Sequence, residues 1–230
     1  MATNSKGELR WVAPPQQARS QRTLERILVA AELLIAEKGF EDTPISEIVR
    51  HAGSSVGAFY SRFEDKHALL HAISGRFVEQ AMATADSALD PERWKGASID
   101  EILRSVVRFL VSIYRDQAGL LRAFVIRNHT DPEFRARQER LTLYVNRGVR
   151  GLLLARGDEI RHPDPERAVR FVLTLIFGSL EYVMLFGDMR SGEFTLSDDQ
   201  YAGELANACL AYLGALETPP RSKELQCNPS

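Results

Sequence analysis

Between positions 43 and 66 the chain spaces out side chains suited to holding a polyanion. There are hydroxyls at Thr43, Ser54 and Ser55, a phenol at Tyr60 and an ammonium at Lys66, with Val56, Gly57 and Ala58 among them. Serine hydroxyls donate and accept, so they can serve base edges or phosphates, whereas Val56 and Ala58 offer only apolar contact, for example to a thymine methyl. Lys66 follows Asp65, a helix-capping residue, and the free N–H groups and dipole of a helix start already attract an anion. The chemistry on offer is binding. The sequence has no glycine-rich phosphate loop, HExxH, nucleophile elbow or cysteine–histidine metal spacing. No catalytic residue, metal ligand or cofactor is therefore expected. His67 and His71, four apart, can share a helix face and hold a metal, but a solvated pair is the expectation.

Two short helices joined by a tight turn must position these groups. Thr43 is a good N-cap, and Pro44 suits a first helical position. Ile45, Ile48 and Val49 recur at helical spacing, Ala52 is small, and Gly53 supplies a turn; Ser54 or Ser55 then caps a second helix whose apolar side carries Phe59 and Phe63. A pair of this size fits a helix-turn-helix that lays its second helix in the DNA major groove. Individual roles stay open. Thr43 caps, binds phosphate or does both, and so does Ser55 with respect to DNA. Gly57 either lets the backbone approach DNA or is a tolerated glycine costing about 1 kcal/mol. Arg19, Arg22 and Arg62 are candidate phosphate partners that can equally be ordinary surface cations.

The run Ala52-Gly53-x-Ser55-x-Gly57-x-Phe59-Tyr60-x-x-Phe63-x-Asp65-Lys66-x-x-Leu69 resembles the DNA-binding domain of TetR-family regulators. So do the preceding helix, with Ile27, Ala30, Ala31, Leu34 and the Gly39-Phe40 ending, and the segment from Thr43 to Ile48. The resemblance covers residues 22 to 75; beyond them it is architectural only. Val56 departs from a usually polar or basic position and Ala58 from a usual hydroxyl. The resemblance implies that Tyr60 binds phosphate, that the default activity is repression, and that a small molecule bound in the C-terminal domain shifts the fourth helix. It also implies that two C-terminal helices from each chain form a four-helix dimer contact. Their ranges are 166–186 and 198–216, where Gly178, Ser179, Gly203 and Ala206 would permit close approach, although these helices can also simply fill the subunit core. A symmetric dimer doubles the DNA contacts and fixes the half-site spacing, so the expected partners are double-stranded DNA with a pseudo-palindromic operator, a second copy of the chain, and a small-molecule effector.

A net charge of −2 over 230 residues gives no global electrostatic footprint for nucleic acid. DNA contact must rest on a few cations on one face, and non-specific binding should be modest. The first twenty residues hold no continuous apolar run, so no signal peptide is expected. No segment is read as a membrane span, and the chain is expected to be cytoplasmic. Of two cysteines, Cys209 falls in a helical apolar pattern and Cys227 in a polar stretch, and no disulfide is indicated.

The fold class is all-α: an N-terminal three-helix helix-turn-helix DNA-binding domain followed by a C-terminal helical ligand-binding and dimerisation domain. The chain divides into an arm at 1–20 that holds Trp11, the DNA-binding domain at 21–66, the helical domain at 67–217 and a disordered tail at 218–230. Phe109, Ile113, Phe124, Phe177, Tyr182 and Met184 can line an apolar effector pocket, or serve as plain core. Arg122, Arg127, His129 and Glu181 can orient a polar group there. A helical adaptor or small-molecule binder without DNA-binding activity is the competing reading.

Overall fold

The computed structural model describes residues 18–186, 190–191 and 194–216. Residues 1–17 of the expected arm, with Trp11, and the expected tail, with Cys227, lie outside the described residues. Helix α1 (Ala18–Lys38) starts four residues before the expected Arg22 and buries Leu24, Ile27, Leu28, Ala31, Leu34 and Ile35 as one stripe. Gly39, at φ +86°, ends it in the left-handed region that favours glycine. Then come α2 (Ile45–His51), α3 (Val56–Tyr60) and α4 (Lys66–Ala88), the last capped by Asp65, whose carboxylate accepts the Ala68 N–H at 2.7 Å. After a turn of 3-10 helix at Pro91–Trp94, a reciprocal Ser98–Glu101 cap opens α5 (Ile99–Asp116).

Helix α6 (Ala118–Thr130) follows almost without a break, and Asp131 caps α7 (Pro132–Leu154). Helix α8 (Pro165–Phe186) leads to a two-residue antiparallel ribbon, Arg190–Ser191 against Phe194–Thr195, where only a loop was expected. Helix α9 (Asp198–Leu213) stops three residues short of the expected Leu216, because Gly214 turns the chain at φ +69°. One expectation about α8 is corrected: it is long and apolar enough to cross a membrane, with a mean hydropathy of 1.7 over its most apolar window. Its composition has a local cause. Val169, Val172, Leu173, Ile176 and Leu180 are buried, while Arg167, Arg170 and Glu181 stand on its open side.

Packing continues across the expected boundary at 66/67. One apolar core joins α1–α4 to Leu120, Leu121, Ala123 and Phe124 of α6, Phe134 of α7 and Met184 of α8. A second joins α5, the later half of α7, α8 and α9, and includes Cys209, whose thiol burial pushes up to about 11. Helix α6 thus belongs to the core of the N-terminal head. Its approach to α1 is so close that a Cβ at Gly119 would lie 2.3 Å from the Ile35 carbonyl oxygen and 2.7 Å from that of Ala36. A polar clamp makes a similar link between α4 and the α6–α7 turn. His71 Nε2 lies 2.8 Å from Asp131 Oδ2, Arg127 reaches the same carboxylate at 3.2 Å, and Arg137 donates to the His71 carbonyl at 3.1 Å.

Candidate nucleic-acid interface

Helix α3 is five residues long and cannot stand alone. Phe59 within it and Phe63 just beyond are both fully buried, with rings 5.1 Å apart, and they pin its inner side to the core of the head. The angle to α2 is set by a Schellman turn. The Ser54 N–H donates to the Val49 carbonyl at 2.8 Å and the Gly53 N–H to that of Arg50 at 3.2 Å, with Gly53 at φ +55°. Ala52, nearly fully buried, keeps the crossing close. At the far end Arg62 donates to the Ala58 carbonyl at 2.6 Å and to the Ser20 hydroxyl at 2.8 Å. Arg62 therefore ties α3 to the first turn of α1. This structural role joins residues 42 apart in sequence, and no local pattern announces it.

The outer side of α3 presents the sequence-predicted residues. Ser55 caps the helix, its hydroxyl accepting the Ala58 N–H at 3.2 Å, and it remains exposed beside exposed Val56 and Gly57. Nothing crowds a Cβ at Gly57, whose nearest neighbour would be the Ser55 hydroxyl at 4.0 Å, so the bare backbone faces outward without an internal reason. Ser54 and Ala58 are half-buried at the edges of this face. Tyr60 is 55% exposed, and its hydroxyl has no hydrogen-bond partner among the described residues. Lys66 stands in the first turn of α4 over the Phe40 ring, 4.3 Å from its centre, and donates to the Glu41 carbonyl at 3.3 Å. Burial lowers its pKa, and Glu41 and Asp42 oppose that. Arg22 is exposed on α1. The side chain of Arg19 lies outside the described residues.

Thr43 is the exception. Pro44, not Thr43, occupies the cap position of α2, and the Thr43 hydroxyl is fully buried, donating to the Gly39 carbonyl at 2.7 Å. It closes the end of α1 and is turned away from the candidate surface. The His67–His71 pair is not the solvated pair expected: only His67 is exposed. His71 is buried against Asp131, His67 lies 5.4 Å from the Phe40 ring, and no cluster of three metal-binding side chains occurs among the described residues.

The expected effector residues are dispersed. Phe124 lies in the core of the head beside Phe77 and Phe134, and Ile113 packs partly against the same core. Phe109, Glu181 and Tyr182 are exposed, and Phe177 is half-buried. A cavity of about 110 Å³ lies instead between α5, α6, α8 and α9. Its apolar walls are Val111, Ala118, Leu180, Val183 and Met184, and its polar edge is Tyr114, Arg115, Arg122, Asp198 and Tyr201. None of those six residues lines it. Of the wider expected set, Met184 and Arg122 do. Helix α8 carries apolar residues on its open side as well as its buried one, which blurs its cavity face; the signal that could have found it is the i, i+3, i+4 set Leu180, Val183 and Met184.

Comparisons with known proteins agree with this architecture. Residues 27–73 match the family described as bacterial regulatory proteins, tetR family, and residues 98–213 match the tetracyclin repressor-like C-terminal domain. The chain is 48% identical over 58 residues to the HTH-type transcriptional regulator YvdT of Bacillus subtilis (strain 168), a stretch covering 25% of this chain and 30% of that one. It is 40% identical over 60 residues to the HTH-type transcriptional repressor BepR of Brucella suis biovar 1 (strain 1330), covering 26% and 29%. In both cases the match spans under a third of the relative's length. The crystal structure of the TetR-family transcriptional regulator PfmR from Thermus thermophilus superposes with a TM-score of 0.53 at 26% identity, over 84% of this chain and 100% of that one. With a head that fixes an exposed α3 and family matches over both the head and the helical body, the chain belongs to the TetR family of DNA-binding transcriptional regulators.

Proposed function

We propose that the protein is a ligand-responsive repressor that binds a pseudo-palindromic operator as a homodimer in the cytoplasm and is released by a small, largely apolar effector. The observation that carries this reading is the outer face of α3, where exposed Ser55, Val56, Gly57 and Tyr60 stand on a helix held from behind by Phe59 and Phe63, the Tyr60 hydroxyl having no hydrogen-bond partner among the described residues. In this reading Ser54, Ser55, Val56, Gly57 and Ala58 meet the groove, while Tyr60, Lys66 and Arg22 meet phosphates. Thr43 acts indirectly, by closing α1. Repression follows the relative described as a repressor. The dimer is supported by the open sides of α8 and α9, where Phe171, Tyr182, Phe186, Tyr212 and Gly178 are exposed, although Ala206, expected to permit close approach, is buried in the protomer's own core. Such a face is self-complementary under a two-fold axis.

The test is a mobility shift with DNA upstream of the protein's own gene over a range of salt. Binding should weaken steeply with salt. Lys66→Ala should weaken binding to every sequence alike, by roughly tenfold, and reduce the salt slope by about 1. Tyr60→Phe should weaken it similarly without changing the melting temperature. Salt-independent or absent DNA binding would favour the adaptor reading, and loss confined to a single sequence would remove Lys66 from the phosphate set.

A further inference from the structure

Arg122 is solvent-exposed at the rim of the cavity between α5, α6, α8 and α9. It meets no carboxylate; its Nε and Nη2 donate at 3.1 and 2.6 Å to the Met184 carbonyl, near the C-terminal end of α8. Arg115 on the same cavity is differently placed, paired with Asp198 at 2.5 Å. The Tyr201 hydroxyl is also engaged, 2.7 Å from the Ser179 hydroxyl. Tyr114 is not: it lines the cavity, and its hydroxyl has no hydrogen-bond partner among the described residues. Burial pushes its pKa up, with Glu181 adding to the effect, so it remains a donor at any working pH. Helix α6 begins on the cavity at Ala118 with no side chain capping its first turn.

We propose that this cavity binds a small monocarboxylic acid with an apolar body, the carboxylate held by Arg122 and Tyr114 and the body held by Val111, Leu180 and Val183. The proposal rests on the effector-responsive reading above and gives that effector a chemical class. A carboxylate offers Arg122 two charged acceptor oxygens in place of one neutral carbonyl, and charge-assisted bidentate pairs are the stronger kind. Ligand binding therefore competes with the Arg122–Met184 contact and loosens the strap between α6 and α8. The cavity, at about 110 Å³, is smaller than the ~150 Å³ that houses a benzene-sized guest. An acid must widen it, and one wall is Ala118. The next residue, Gly119, rests on the Ile35 and Ala36 carbonyls of α1. The displacement is delivered to the head through α6.

The experiment titrates the full chain with benzoate and hexanoate by calorimetry and thermal melting, alongside benzamide, hexanamide and benzylamine as matched neutral and cationic probes. At least one acid should bind tenfold or more tightly than its amide and raise the melting temperature. Arg122→Gln should abolish that preference and Arg122→Lys should retain part of it, with circular dichroism confirming that both variants fold. The proposal is overturned if the amides bind as well as the acids, if the amine is preferred, if Arg122→Gln keeps the preference, or if no probe binds. A mobility shift run in parallel separates the two claims. DNA binding with no acid preference removes the site and leaves the regulator, whereas acid binding without DNA binding upholds the site and removes the regulator.

Discussion

Helices α3 and α8 each fasten one side to a core and leave the other open, the first showing mainly polar groups and the second large aromatic rings among its charges. Helix α3 buries Phe59 and shows Ser55, Gly57 and Tyr60. Helix α8 buries Val169, Val172, Ile176 and Leu180 and shows Phe171, Tyr182 and Phe186, the last 73% exposed. Water solvates the first surface at little cost, so it can meet and leave a phosphate backbone reversibly. Each Å² of apolar surface removed from water on the second is worth about 25 cal/mol, which favours a lasting cover. The fastening is the same at both ends, and the partner is chosen by what the fold leaves uncovered.

The largest expected effect comes from removing the fastening under α3. Phe59→Ala should destabilise the head by about 3–5 kcal/mol, read as an early transition in thermal melts and loss of DNA binding. A melting curve that keeps its midpoint would show that α3 needs no anchor. The next effect targets the open side of α8. A Cβ at Gly178 meets nothing within 4 Å in the protomer, so Gly178→Glu should leave the monomer folded while placing a charge in the apolar face. Sedimentation should show a monomer, with operator binding weakened by more than tenfold; a surviving dimer would place the interface elsewhere.

The smallest effect sharpens the link between the two regions. Burial, opposed by Asp131, holds His71 below its ordinary value of 6.5. The unfolded chain therefore takes up this proton first, so the stability from neutral, buried His71 is complete above pH 6.5 and is lost progressively as the pH falls through the lower folded value. Asp131, itself held below 3.8, adds a loss at still lower pH. The melting temperature should decline from pH 7.5 to about 5.5, and His71→Gln should flatten that slope. An unchanged slope in the variant would assign the decline to other groups.

The head was legible because its core residues are also its pattern residues: Ala52, Gly53, Phe59 and Phe63 each have one local job and sit at fixed spacing. Thr43 was misread because its partners, Gly39 and Leu34, lie back along α1, and a hydroxyl in sequence does not say which way it turns. The effector region was hidden by helical phase. Tyr182 and Leu180 are two residues apart, which is about 200° of rotation, and one faces solvent while the other faces the cavity. Periodicity selects a face most clearly when the opposite face is wholly polar, and on α8 Phe171, Tyr182 and Phe186 share the open side with Arg167, Arg170 and Glu181.

Gly119 carries a consequence for anyone building hybrid regulators. Because α6 fills part of the core beneath α1, a cut at the expected 66/67 boundary should leave this head without part of its own core. A recipient body must bring a sixth helix with a bare backbone at that station, or the graft will be pried open by the first methyl group that meets the Ile35 carbonyl.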